Sequence, residues 1–344
     1  VIIKLVGVKR VMRFLPPVVT GPIIILIGLN LAPSAVTNAS SCWWLAILSI
    51  AVIVVANIWG KGMIKIIPIL LGVVIPYIVA VIANACGATA LDSAGNVVPL
   101  MDFTSVAASA PVGLQPFFTD FTGSVAKFDV TSILVMAPIA IAAMMEHIGD
   151  ISAISATVGK PFIQDPGLHR TLIGDGLATS LAGLFGGPAN TTYGENTGVL
   201  VLSRVYDPKV VRLAAVYAVI LSFSPAFAAI VNSIPTAIIG GVSFILYGMI
   251  SAIGVRNLVE NQVDLSKSHN VIVVSLIISL ALGITFSAAG AITFHVGEFT
   301  LNFSGLAVAA IVGIVVNAIL PGKDYDFQNN YEYGKTTEDH GQML

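Results

Sequence analysis

Of 344 residues, 56% are hydrophobic and only 10% charged, and the mean hydropathy of +0.93 lies far outside the soluble range. A formal net charge of −2 leaves no case for nucleic acid, and Cys42 and Cys86 match no metal or redox spacing. With no His/Cys/Glu metal cluster, no Ser/His/Asp set and no Gly-rich phosphate loop, the chain reads as a non-enzyme without cofactor. The class is a polytopic membrane protein.

Val1 falls within a segment and carries no initiator Met, so the chain is expected to be an N-terminally truncated fragment. Apolar stretches of ~17–25 residues cross a bilayer. Ten are expected, at roughly 14–32, 42–58, 66–88, 129–148, 170–186, a half-span at 188–205, 210–232, 235–254, 270–286 and 302–320. With Val1 inside, this order places every Lys and Arg except Lys127 on the cytoplasmic side, as the positive-inside rule requires. The long outer loop 89–128 holds Asp92, Asp102 and Asp120 instead. Both ends of the chain are then cytoplasmic.

Pro16-Pro17, Gly21-Pro22 and Gly28 open the first span with small residues that permit close packing. Pro235, Gly240-Gly241 and Gly248 repeat that layout about 220 residues later, in a span of opposite direction. The pair points to an inverted repeat. Residues 255–269, with Arg256, Glu260, Asp264 and Lys267 between apolar positions, suit an amphipathic connector helix on the inner face. Residues 321–344 read as a disordered cytoplasmic tail.

The half-span is the informative stretch. Gly186-Gly187-Pro188 must end the preceding helix, Thr191, Thr192 and Tyr193 favour extended backbone, and a helix can resume over Asn196–Ser203 with Glu195 at its N-terminus. Interrupted backbone at membrane depth is tolerated only where protein buries it or it lines a cavity. Four acids remain within spans: Glu146, Asp150, Asp175 and Glu195. Each costs at least ~2.5–3.5 kcal/mol at the bilayer centre, which a wet functional cavity would offset. Glu146 and Asp150, four apart, share a helix face and cannot both ionise cheaply, so one suits proton exchange. A hydrogen-bonded pair that fixes helix packing is the plainer alternative. For Glu195 the plainer role is helix capping, and for Asp175 a helix–helix clamp. His147, about 100° around the helix from Glu146, reads as a packing or interfacial residue and not as a ligand.

Glu146-His-Ile-Gly-Asp150, Asp165-Pro-Gly-Leu-His-Arg170 and Asn190-Thr-Thr-Tyr-Gly-Glu-Asn196 closely resemble the bacterial uracil permeases of the nucleobase–cation symporter-2 (nucleobase–ascorbate transporter, NCS2) family. The likeness extends through Pro235 to Glu260. It implies fourteen spans in two inverted seven-span repeats, with a core and a gate domain and short strands in spans three and ten. On that map residues 1–128 are gate-domain spans of the first repeat (family spans 5–7) and the outer loop. Residues 129–232 are core-domain spans 8–11, 233–320 are gate-domain spans 12–14, and 321–344 form the tail. The implied fold class is an all-α inverted-repeat transporter whose broken span carries a short β-strand, with about ten of fourteen spans present.

The resemblance makes Glu146 the glutamate that binds the base and is tied to proton coupling, and Glu195 its partner on the broken span. Thr192, Tyr193 and Gly194 belong to the strand that meets the base through main-chain groups. Asp150 stands where some members have His, and Asp175 where some uracil carriers have Asn and purine carriers Asp. Proton coupling is expected of Glu146, Asp150 and Asp175. The implied function is proton-coupled uracil import across the bacterial cytoplasmic membrane, with H+ and the lipid bilayer as further partners and a homodimer as the family's assembly. A xanthine, purine or broader pyrimidine carrier is the nearest alternative. An anion transporter of the same architecture is disfavoured by the acidic cavity, and a membrane enzyme by the missing catalytic sets.

Overall fold

The computed structural model describes residues 15–92, 94–110, 112–113, 128–192, 200, 205–296 and 299–322. Tyr193, Gly194, Glu195, Asp120, Lys127, the basic stretch before residue 14 and the tail from 323 lie outside the described residues. So does the expected helix over 196–203, apart from Leu200, which is helical.

Proline sets many of the helix starts, because a residue without an N–H costs nothing in the first turn. Helix α1 is Pro17–Ser40, α2 Trp43–Ile58, α3 the single turn Met63–Ile66, and α4 Pro68–Ala85. A small hairpin follows, β1 Thr89–Leu91 with β2 Val97–Pro99, then the short α5 Thr104–Ala108. Asp92 closes the hairpin turn by accepting from the Ala94 and Asn96 N–H groups at 2.9 and 2.8 Å. Next come the 29-residue α6, Val130–Val158, and α7, Leu168–Leu184. Between them lies a tight connection at Ile163–Gly167 with a cis Asp165–Pro166 bond. The remainder is α8 Pro208–Ser222, α9 Pro225–Asn232, α10 Thr236–Glu260, α11 Ser268–Thr285, the hairpin β3 Ala291–Val296 with β4 Phe299–Ser304, and α12 Gly305–Ile319.

Among the described residues α1, α4, α10 and α11 are each long and apolar enough to cross a membrane, and α8 with α9 make a fifth such span if a bent pair counts. The protein is a mostly helical, polytopic membrane protein. Two hairpins interrupt the all-α expectation. The second was readable, since Ile292, Phe294, Phe299, Leu301 and Phe303 follow a strand-like alternation.

The chain divides into two compact units. One draws on Val1–Asn30, Lys127–Thr197 and Met249–Leu344, with Val19, Ile23, Leu26, Ile148, Leu168 and Ile277 in its core. The other draws on Leu31–Ala126 and Gly198–Gly248, around Leu45, Ile53, Ala80, Leu100 and Ile238. In both, small residues set the helix spacing, as expected where lipid removes the hydrophobic drive for helices to associate. In the first unit a Cβ on Gly254 would strike the Ile25 and Gly21 backbone, and Ser251 Oγ donates to the Ile25 carbonyl at 3.0 Å. In the second, a Cβ on Gly240 would land on the Ala39 backbone, and Ser41 and Thr236 share a hydroxyl contact at 3.0 Å.

Two expected elements are corrected. The stretch 210–232 is not one straight span: α8 and α9 meet at a 96° bend. Ser224 causes it by accepting from the Phe227 N–H, with Pro225 opening α9 at its first turn. The amphipathic connector over 255–269 is not a separate helix either. Helix α10 runs on to Glu260, where Arg256 and Glu260 pair one turn apart, and a turn through Gln262 (φ 50°), Asp264 and Ser266 leads into α11.

Gly240→Ala is expected to cost about 1–3 kcal/mol through overpacking against backbone that cannot yield. Gly248→Ala on the same helix meets open space and gains about 0.5–1 kcal/mol from helix propensity. Thermal unfolding in detergent, read by loss of the monodisperse peak, would show opposite shifts for the two.

Candidate functional site

The site is built on α6, α7 and the segment that follows α7. Helix α7 stops as the sequence requires. Gly186 adopts φ 75°, its N–H bonds to the Gly183 carbonyl at 3.2 Å, and the Gly187 N–H bonds to the Ala182 carbonyl at 2.7 Å. That pair of bonds is a Schellman stop, which satisfies carbonyls that an abrupt helix end would strand. Residues 185–192 continue without helix. All are exposed except half-buried Thr192, so protein packing does little to hold them.

Two side-chain tethers do. Thr179 on α7 donates its hydroxyl to the Asn190 carbonyl at 2.5 Å. Thr192 Oγ1 lies 2.6 Å from Nδ1 of His147 on α6. The other ring nitrogen, Nε2, lies 2.9 Å from Thr171 Oγ1 on α7, and Asp175 Oδ2 comes within 3.8 Å of Nδ1. His147, only 3% exposed, thus joins α6, α7 and the arm beyond it.

Around α6, positions advance about 100° per residue. Glu146, Asp150 and His147 therefore fall within one arc of about 100°, while Ile148 and Gly149 take the other side. Ile148 is in the core there, and a Cβ on Gly149 would come to 3.0 Å from Ile24. Asp150 is buried and Glu146 half-buried. The structure therefore places Glu146, Asp150, Asp175 and Thr192 on the elements that meet at His147. Glu195, Tyr193 and Gly194 lie outside the described residues.

Thr171 Oγ1 lies within reach of the Leu168 carbonyl at 3.1 Å and of His147 Nε2 at 2.9 Å, and its single proton serves one of them. Whichever ring nitrogen carries the proton, each has a hydroxyl that can donate to it or accept from it. Together these groups orient a non-helical backbone segment beside two carboxyl-bearing positions of α6, an arrangement suited to a small hydrogen-bonding ligand. Among the described residues no group of His, Cys, Asp and Glu is placed to hold a metal ion.

The model of the Permease family (Xan_ur_permease) matches residues 1–290. The chain belongs to that family. It is a membrane transporter and not an enzyme. Among its relatives the uracil permease of Bacillus caldolyticus is 37% identical over 340 residues, covering 96% of this chain and 73% of that protein. The uracil permease of Bacillus subtilis (strain 168) is 36% identical over 352 residues, 98% of this chain and 74% of its own length. The putative pyrimidine permease RutG of Escherichia coli (strain K12) is 36% identical over 329 residues, 94% of this chain and 69% of its own.

Within the permease chain, sequence reasoning makes His147 a packing or interfacial residue and gives no signal for Thr171 or Thr179. Their partners stand 24, 45 and 11 positions away, beyond any local spacing rule. Gly186→Ala is expected to cost about 1–2 kcal/mol, because an L side chain resists positive φ. Gly183→Ala, inside α7 with open space around it, should be neutral or stabilising. Equal melting temperatures for the two variants would contradict the helix-stop assignment.

Proposed function

We propose that the chain is a proton-coupled symporter importing uracil across the bacterial cytoplasmic membrane. The observation that carries this reading is the interrupted backbone after Leu184, tethered beside the acid-bearing turn Glu146–Asp150. The relatives named uracil permease supply the substrate class. A uracil ring offers two N–H donors and two carbonyl acceptors. Glu146 and Glu195 suit the donors, and main-chain groups around Thr192, Tyr193 and Gly194 suit the carbonyls. Asp150 and Asp175, with Glu146, are the proton-handling acids, and a proton on this set permits the occupied site to change sides.

In this reading residues 1–128 and 233–320 are gate spans, 129–232 core spans and 321–344 a cytoplasmic tail, within an inverted-repeat fold of ten crossings here. The packing of α1 with α10 supports the repeat. Gly21 abuts Leu258 and Gly240 abuts Ala39, so each helix presents a glycine near its start to the far end of the other. Exchanging the two helices maps one contact onto the other. A homodimer with its C-termini in the cytoplasm completes the proposal.

A broader pyrimidine carrier is the second reading, favoured by the likeness to the putative pyrimidine permease RutG. Competition of labelled uracil uptake by unlabelled thymine, cytosine, xanthine and uracil separates the two; inhibition by uracil alone supports the narrow one. Glu195→Ala should abolish uptake at normal membrane abundance. Glu146→Gln should weaken uracil binding about 10- to 150-fold, the worth of a ~1.5–3 kcal/mol charge-assisted hydrogen bond. Unchanged uptake in both variants would refute the assignment.

A further inference from the structure

We infer that His147 is a positioning residue for transport, one that fixes the arm after α7 by holding the Thr192 hydroxyl, with Thr171 setting the ring for that task. The inference rests on the reading of the interrupted segment as the nucleobase site. Each ring nitrogen of His147 meets one hydroxyl: Thr171 Oγ1 lies 2.9 Å from Nε2 and Thr192 Oγ1 lies 2.6 Å from Nδ1. A hydroxyl can donate to a bare ring nitrogen or accept from a ring N–H, so both contacts hold in either tautomer of the neutral ring. What Thr192 brings to a bound base is the place of its backbone, three residues ahead of Glu195.

Residues 185–191 are exposed, and the described arm is tied beyond the Schellman stop by Thr179 on the Asn190 carbonyl and by His147 on Thr192. The histidine anchor ties the arm to the helix that carries Glu146. A site whose walls are fixed before the ligand arrives loses less on ordering them, and that gain appears in affinity.

The ring's two nitrogens can be tested separately. Asparagine keeps a polar atom near the Nδ1 position, within reach of Thr192, and glutamine keeps one near Nε2, within reach of Thr171. Uracil uptake is measured for the protein expressed from its complete reading frame, in cells lacking their own uracil carrier, with KM and Vmax normalised to membrane abundance. His147→Asn should stay within about threefold of the unaltered KM, while His147→Gln and His147→Ala raise it about tenfold or more, the scale of one buried hydrogen bond. Vmax per copy should change little. Thr192→Val, which keeps the shape and loses the hydroxyl, should match His147→Gln, and combining the two should add nothing further. Thr192→Ser should keep the low KM.

An unchanged KM throughout, a glutamine variant better than the asparagine one, or a fall confined to Vmax would overturn the inference. If the histidine variants do not reach the membrane, equal KM for Thr192→Val and Thr192→Ser overturns it alone. Absence of uracil uptake by the unaltered protein would overturn the functional reading and this inference with it.

Discussion

A backbone that leaves the helix must find new partners for the N–H and C=O groups it strips from the ladder. That constraint explains the details around Leu184. The two glycines return two N–H groups to the carbonyls of Ala182 and Gly183, and the Thr179 hydroxyl takes the carbonyl of Asn190. Hydroxyls and backbone amides suit this duty because they carry no charge, so holding the arm with them adds no ion beside the acids of α6 and α7. The chain can therefore spend its carboxyl groups elsewhere on the same elements.

The frame around the break is held differently. Where α11 meets α12, Gly305 and Gly313 let the helices approach until a single Cβ would strike the Ala281 carbonyl or the Ile277 side chain. Similar contacts join α1 to α10 within each unit. Such packing is short-ranged and unforgiving, which makes those helices a stiff support. Helix α7 has little of it: Leu168 is its one buried residue, and Leu177, Leu181 and Leu184 are about half exposed. Its placement beside α6 leans instead on polar contacts, with Thr171 and Asp175 both facing His147. A polar junction can be remade in a second arrangement more readily than a glycine seam, as an element serving a moving site requires.

Much of the frame was legible in the sequence because its signals are local. Proline opens α1, α4, α8 and α9, and Gly-Gly-Pro marks the end of α7. Apolar runs mark α2, α4, α7, α11 and α12 to within about three residues, while α1 and α6 run on to Ser40 and Val158, past the expected ends at 32 and 148. The α8–α9 bend had a local signal too, Ser224-Pro225, which the apolar run masked when hydropathy alone set the span. Helix α10 outran its apolar stretch because Arg256 and Glu260, one turn apart, extend it past Gly254. The junction at His147 was not legible. A histidine beside Glu146 looks the same in sequence whether it packs or bridges; only the fold brings Thr171 and Thr192 to its two nitrogens. The resemblance through Glu146–Asp150 and Asn190–Asn196 named the region, and it did not name that contact.

The compactness of Glu146-His147-Ile148-Gly149-Asp150 has a mechanical meaning. Within little more than one turn, the helix turns Ile148 to the core, sets Gly149 against Ile24, and leaves an acid, a histidine and a second acid on the remaining arc. The acid proposed to meet the base and the side chain that holds the arm are thus consecutive residues on one rigid element. Their separation is set by helix geometry, not by the 45 residues of chain between His147 and Thr192. A shift of α6 against α7 in either direction would strain the His147 contacts, because Thr171 sits on α7 and Thr179 holds the arm to α7. The register between Glu146 and the histidine anchor is therefore a property of one turn of α6, and the register of the arm depends on α7 as well.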